Sequence, residues 1–424
     1  MLNGSNLCAG AGEGSVAPTT TGPYSVSNPF PQGVVPLITN PTGLNNNLGT
    51  TLNTVLHSQR TVTTYNFNLG FEYQLPGQYV VSVGYVGSRG LYLPFASVDL
   101  NQLTLDTIGQ YQSDLLNTTV PNQWANIQPA TNANYGSSTV PLFVSLQEFP
   151  QFGNGGYGTG NGVIVHGYPA GDSEYSSLQM KVQKQLTHHF TALASYTWAK
   201  LMTDDGNPPL DFVGSHAGVP QDWKNLNLEH SVSPQDVKYQ FTVQASYDLP
   251  IGNGRAISIG RVGNAILGAW TLNGIAYVSS GIPIASPISG IQPSYFNQRA
   301  DVTCDPGKGA PHTAAQWISP TCFALPASPY VAGNAPAYLD HARTMGARDM
   351  DLTLVKNIAL KRDMNLRFEV SSYNVFNKAQ FAAPGFPDIQ SLISNPDTYA
   401  SQFGVITADA NTPRQFQFGS KFTF

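Results

Sequence analysis

An antiparallel transmembrane β-barrel is the fold class this sequence predicts, on three observations. Only 11% of the 424 residues are charged, against about 25% in a typical soluble domain, so the chain lacks the Lys/Glu surface that keeps soluble proteins apart. Aromatic residues make up a further 11%, with 20 Tyr and 21 Phe. Several segments alternate apolar and polar residues strictly, while no uninterrupted apolar run reaches the roughly 18 residues of a transmembrane helix. In a closed barrel every backbone group pairs with a neighbouring strand, so only every second side chain has to be apolar.

Residues 1–58 are rich in Gly, Asn, Thr and Pro and read as a loop-rich N-terminal segment. Residues 59–424 then carry the barrel pattern. In TYNFNLGFEYQLP, Tyr65, Phe67, Leu69, Phe71 and Tyr73 share one face, and Asn66, Asn68, Gly70 and Glu72 the other. Pro76-Gly77 turns the chain, and QYVVSVGYVGSRG runs back with Val81, Val83 and Tyr85 on one face. SEYSSLQMKVQKQL and HFTALASYTWAKL form a second hairpin around His188-His189, with Phe190, Ala192, Ala194, Tyr196 and Trp198 aligned. VKYQFTVQASYDLP alternates from Val237 to Tyr247. The turn IGNGR and a strand around ILGAWTLNGIAYVSSG follow. DMDLTLVKNIAL, the turn Lys361-Arg362-Asp363 and MNLRFEVSSYNVF make the next hairpin, and RQFQFGSKFTF the last strand. No long helix is predicted.

Long loops are expected at 88–172, 201–236, 281–346 and 378–411. They alternate with tight turns near 77, 188, 252 and 362. This asymmetry belongs to outer-membrane barrels, which have short periplasmic turns and long external loops. With the C-terminus in the periplasm, every tight turn falls on that side and every long loop outside. The pattern gives nine strands, whereas bacterial barrels carry an even number. The start MLNGSNLCAGAGEG also lacks the basic head and apolar core of an export signal. At least one further strand is therefore needed, either hidden in residues 1–58 or lying upstream; the favoured expectation is the C-terminal part of a larger barrel, its upstream strands and signal missing.

The terminal octet holds Gln417, a central Gly419, and aromatic Phe422 and Phe424 at alternate positions to the end; Phe416 and Phe418 fall on the same face. It resembles the C-terminal assembly signal of outer-membrane barrels. An amphipathic, aromatic-ended edge strand can add to the sheet of an assembly machine by β-augmentation. The bland alternative is an ordinary edge strand.

Six stretches in order resemble TonB-dependent outer-membrane receptors of the Oar-like kind. They are NPFPQGV, YVVSVGYVGSRGLYL, SEYSSLQMKVQKQLTHHFTALASYTWAK, YDLPIGNGR, QWISPTCFALP and LRFEVSSYNVFNKAQFAAPG, and the resemblance they carry extends over most of the chain from about residue 29 to 424. The resemblance implies a barrel of about 22 strands around an N-terminal plug. It also implies uptake or surface binding of a ligand at the cell outer membrane. The expected partners are outer-membrane lipid, the barrel-assembly machinery and, only through a missing N-terminal region, the TonB complex. A self-contained passive porin or surface adhesin barrel is the alternative. The ligand itself is not legible, because specificity resides in long loops and plug.

Other chemistry finds little support. A net charge of −5 with no basic stripe gives no footprint for nucleic acid. The eight His are scattered, and neither a nucleophile elbow nor an H-E-x-x-H motif occurs. No catalytic residue, cofactor or metal site is therefore expected, and the chain reads as a non-enzyme. Gly153, Gly155 and Gly158 match a dinucleotide fingerprint only formally, since neither a buried strand nor a helix flanks them. Asp204-Asp205-Gly206-Asn207 offers oxygen ligands without EF-hand spacing. Glu72, Lys181, Lys238, Arg367 and Glu369 could line a lumen, with mutual pairing as the plainer reading. Cys304 and Cys322, in one Pro/Gly-rich segment, could close a loop disulfide in an oxidising compartment; the alternative is two free thiols, and Cys8 is left over.

Overall fold

The computed structural model describes residues 48–57, 60–125, 137–153, 162–187, 189–204, 220–252, 255–291, 295–360 and 364–424. Two compact units emerge, one of Arg60–Phe95, Pro169–Gln292 and Gln298–Phe424, the other of Met1–Gln59, Ala96–Tyr168 and Pro293–Asn297.

The first unit is built on a large antiparallel sheet. Its strands are β1 (Thr63–Leu75), β2 (Tyr79–Asp99), β3 (Val163–Thr187), β4 (Phe190–Thr203), β5 (Tyr239–Asp248), β6 (Trp270–Ser279), β7 (Arg348–Ala359), β8 (Asn365–Tyr373) and β9 (Gln415–Thr423). Their order in the sheet is their order in the chain, a continuous meander from β1 to β9. All nine expected strands are present.

Register keeps the two faces apart, as a side-chain period of two requires. One cross-strand row reads Phe190, Tyr247, Leu272, Leu354, Val370 and Phe418 across β4 to β9. The adjacent row reads Thr191, Ser246, Asn273, Thr353, Ser371 and Gln417. Leu178, Met180 and Val182 of β3 oppose Trp198, Tyr196 and Ala194. Leu69, Phe71 and Tyr73 of β1 oppose Tyr85, Val83 and Val81, and the Phe67 and Tyr85 rings lie 6.1 Å apart. The apolar face is uncovered: Phe418 is 76% exposed. A contiguous apolar surface of this extent needs an apolar solvent.

Short connections lie at one end of the meander. Gly77 and Gln78 turn β1 into β2 with positive φ of 81° and 62°, where Gly77 is free of the Cβ clash that disfavours such angles. His189, φ 68°, stands in the β3–β4 turn. The predicted turns at His188 and Lys361-Arg362-Asp363 lie outside the described residues, as do Gly155, Gly158, Asp205, Gly206, Asn207 and all of residues 1–47.

Three expectations need correction. The connection near 252 is not a tight turn, and no strand begins at Ile266: helix α1 (Gly260–Leu267) fills the space before Trp270. The run ILGAW looked strand-like because a short apolar stretch carries no decisive period. Second, β2 continues to Asp99 and β3 begins at Val163, so the loop expected at 88–172 shrinks from both ends. Third, residues 1–58 are not loop throughout, because Leu52–Val55 pairs in parallel with Val163–His166.

The second unit is described by itself. Helices Leu105–Tyr111, Asp114–Asn117 and Leu142–Ser145 accompany a hairpin of Thr119–Pro121 with Thr139–Pro141. Thr104 caps the first helix through Thr107 N–H. Ile108, Leu115, Phe143 and Val144 are buried there, so this long connection is a folded element with its own core.

Candidate functional site: a polar sheet face and a loop cap

The polar rows of β4 to β7 line a recess of about 340 Å³, bordered by Thr191, Gln244, Ser246, Asn273, Asp351 and Thr353. These side chains alternate with the apolar face along each strand, so the period that makes one face greasy necessarily makes the other a hydrogen-bonding surface. The Thr353 and Ser371 hydroxyls bond across β7 and β8 at 3.0 Å.

The charged candidates for a lumen do not converge. Glu72 accepts from the Ser82 hydroxyl at 2.8 Å on β1–β2, while Arg367 pairs with Glu369 at 2.9 Å on β8. Neither Lys181 on β3 nor Lys238, just before β5, joins them.

Above the other end of the sheet the long loops form a folded cap. Ile284, Trp317, Ile318, Phe323 and Leu339 from one loop share a core with Ile389, Phe403 and Ile406 from another. Trp317 packs edge-on to Phe381 at 6.1 Å, and its indole N–H donates to the Arg343 carbonyl at 2.6 Å. Burial of each large apolar side chain contributes about 1.5–3 kcal/mol. Such loops hold their shape without the sheet's hydrogen bonds.

Two ion-pair networks tie the cap together. Arg299 and Glu229, 1% and 2% exposed, meet at 2.6 Å. Arg299 also donates to the Ala335 and Leu228 carbonyls, and Glu229 accepts from Gln221 N–H at 2.8 Å. Gln221 in turn accepts from Arg299 N–H at 2.9 Å. The second network clamps the cap to the end of β4. Arg343 bonds Asp236 at 2.6 Å and Asp340 at 2.8 Å, Lys200 reaches Asp340 at 3.1 Å, and Asp236 accepts from Leu201 N–H. Partial burial works to raise the Asp340 carboxyl, but hydrogen bonds from Arg343 and Lys200 outweigh it and hold its pKa below the ordinary value.

Cys304 and Cys322 are joined in a disulfide, 18 residues apart in sequence. Replacing both by Ser is expected to lower the stability of the cap by about 3 kcal/mol, the value for a loop near this length. Limited proteolysis should then cut between residues 304 and 322 much faster than in the wild-type protein, at unchanged barrel content; equal rates would remove the disulfide from the list of cap supports.

A second polar recess, of about 220 Å³, lies among Arg89, Asp172, Glu174, Asp204, Asn227 and His230. Burial pushes the Asp204 carboxyl up; the Asp172 backbone N–H opposes this, and the Asp172 charge adds to it.

At the C-terminus, β9 pairs with β8 through nine residues, Asn365 with Thr423 to Tyr373 with Gln415. Phe416, Phe418 and Phe422 stand on its apolar side, and the Phe422 and Phe424 rings stack at 5.8 Å. Gly419 and Gln417 oppose Glu369 and Ser371 on the polar side.

A family described as the outer membrane β-barrel domain matches residues 7–417. The chain belongs to this family. As an outer membrane β-barrel domain it resides in the outer membrane, with its apolar face toward lipid and its polar face toward the lumen. Several solved structures are similar to it. The outer membrane transporter YddB from Escherichia coli is 8% identical, with a TM-score of 0.42, over 88% of this chain and 34% of that one. The pyoverdine outer membrane receptor FpvA from Pseudomonas aeruginosa PAO1, bound to pyoverdine, is 12% identical, with a TM-score of 0.35, over 86% and 30%. The ferric citrate transporter FecA in its unliganded form is 11% identical, with a TM-score of 0.33, over 85% and 31%. The outer membrane β-barrel domain thus spans about a third of those chains. No curated protein matches it significantly.

Sequence reasoning missed Arg299, Glu229, Asp236 and Arg343 in this barrel domain, because partners 70 and 107 residues apart leave no local pattern. A faint signal did exist. Trp317, Phe323 and Phe403 are large apolar residues in segments otherwise rich in Pro, Gly and Asn, and such residues in a loop indicate a core of its own.

Proposed function

We propose that this chain is part of a TonB-dependent receptor of the Oar-like kind that binds or takes up a ligand at the cell surface. The observation that carries the reading is the cap: two long loops share one apolar core and are locked by buried ion pairs. A passive pore has no need of so rigid an external surface, whereas a receptor must hold ligand-contacting loops in a fixed geometry. The ordered resemblance from NPFPQGV to LRFEVSSYNVFNKAQFAAPG supports the same reading. In it the TonB complex engages the receptor through its N-terminal region, the assembly machinery reads the terminal octet, and the polar lumen conducts rather than catalyses.

Outer membranes containing the protein, cross-linked with formaldehyde and probed with an antibody to the 304–322 loop, are expected to yield a TonB adduct. Failure to recover TonB, together with stepwise ion conductance of the purified protein in planar bilayers, would establish the passive-porin alternative instead.

A further inference from the structure

A lysine on the lipid-facing side of a barrel is an expensive placement unless something shields it. Lys356 is such a residue. It pairs with Trp270 on β6 and Phe368 on β8, between the apolar rows of Leu354–Val370 and Ile358–Leu366. Yet it is only 7% exposed. Its Nζ donates to the carbonyls of Ile266 and Gly268, each at 2.8 Å, and lies 5.0 Å from the centre of the Trp270 ring. Trp270 Nε1 donates to the same Ile266 carbonyl at 3.1 Å. The C-terminus of α1, where a helix carries unsatisfied carbonyls and partial negative charge, is therefore pinned against the outward face of the sheet.

The helix is anchored on one side and bare on the other. Asn264 is buried: its side-chain oxygen accepts from Ile259 N–H and its amide donates to the Ser258 hydroxyl, both at 2.9 Å. Gly268 approaches the chain at Gly252 so closely that a Cβ there would meet the Gly252 Cα at 2.9 Å. Ile259, Val262, Ile266 and Leu267, at the i, i+3, i+7, i+8 spacing of one helix face, are exposed instead, Val262 by 72% and Ile266 by 61%. Residues 249–270 contain Arg255 and Arg261 and no acidic residue. Arg255 is engaged with Asp248 at 3.4 Å, while Arg261 is exposed.

We propose that α1 is a membrane-interface anchor, clamped to the barrel wall by Lys356, that lays Val262, Ile266 and their apolar neighbours into the phospholipid leaflet on the side of the short turns and offers Arg261 to anionic headgroups. The occupant is lipid because the bare face continues the lipid-facing surface of β6 to β8, and because the exposed charge it carries among the described residues, Arg261, is positive. An amphipathic helix of this composition lies in the interface plane, buried about 5–10 Å at the headgroup boundary.

The test uses the full chain with Cys8→Ser, reconstituted in phosphatidylglycerol-containing vesicles and labelled with a nitrobenzoxadiazole probe at Val262→Cys. Leu69→Cys on the lipid face and Lys308→Cys in the cap serve as references. Phospholipids brominated near the headgroup are expected to quench position 262 to within about twofold of position 69, with little quenching by aqueous iodide, as interfacial burial demands. Iodide quenching equal to that at position 308 overturns the proposal. Shielding from both quenchers also overturns it, since protein rather than lipid would then cover the helix. In the Lys356→Met variant the 262 label is expected to become more accessible to iodide; unchanged accessibility would refute the clamp.

Discussion

Replacing Glu229 by Ala is expected to open the loop cap while leaving the barrel intact, at a cost of about 3–5 kcal/mol. The carboxylate removed is the counter-charge of Arg299, and both side chains are almost fully enclosed. Arg299 keeps its hydrogen bonds to the Ala335 and Leu228 carbonyls, but carbonyl dipoles do not balance a full charge withdrawn from water. The native network is saturated, since Gln221 links both partners through its backbone and side chain; loss of one member therefore strands several buried groups at once. A cost of that size corresponds to a roughly hundredfold to several-thousandfold larger open population. Trypsin cleavage at Lys224 and Arg343, followed on the folded protein in detergent, reads that population directly when reclosing is fast. The double variant Glu229→Leu with Arg299→Met should recover most of the protection, because a well-packed apolar pair of similar volume often matches a buried ion pair. Wild-type cleavage rates in Glu229→Ala would show that the network does not hold the cap.

The contrast between barrel and cap explains which parts of the molecule were legible in the sequence. Strands β1, β5 and β9 announced themselves because the lipid face demands an apolar residue at every second position and the lumen tolerates polar ones, so Tyr239, Phe241, Val243, Ala245 and Tyr247 stand out from Gln240, Thr242, Gln244 and Ser246. The Cys304–Cys322 bridge was legible as a proximity within one segment. The cap core was not, because Trp317 and Phe403 come together through loops that impose no period. Helix α1 was lost for a different reason. Its apolar positions merge with Leu267 and the following Trp270 into a run that fits strand or helix equally, and the decisive fact, Lys356 reaching its C-terminal carbonyls, comes from a strand about 90 residues later. The extended upper parts of β2 and β3 were hidden because alternation weakens where strands leave the lipid and no face is obliged to be apolar; Pro94 and the Gly pair Gly87 and Gly90 further blur the pattern.

Substituting Ser for both Phe422 and Phe424 is expected to reduce the amount of folded protein in the outer membrane severalfold while leaving the β8–β9 register in place. The register is carried by nine backbone-paired positions and by Val370 against Phe418 and Leu366 against Phe422, so loss of two rings weakens but does not erase it. Each ring withdrawn from lipid forfeits about 1.5–3 kcal/mol of apolar burial, which alone predicts an equal deficit wherever the barrel folds. An assembly signal predicts something else. On that reading Phe424, 92% exposed and contributing little to the packing of the finished sheet, acts before insertion, when an aromatic-ended strand can augment the edge of the assembly machine. Comparison of two folding routes separates these origins. Refolding of the urea-denatured chain into detergent or vesicles, followed by heat-modifiable migration on gels, reports the intrinsic stability of the strand; the folded fraction in cells reports recognition. A deficit much larger in cells than in vesicles assigns Gln417, Gly419, Phe422 and Phe424 to assembly. Equal deficits by both routes would make β9 an ordinary edge strand whose aromatics serve only the lipid contact.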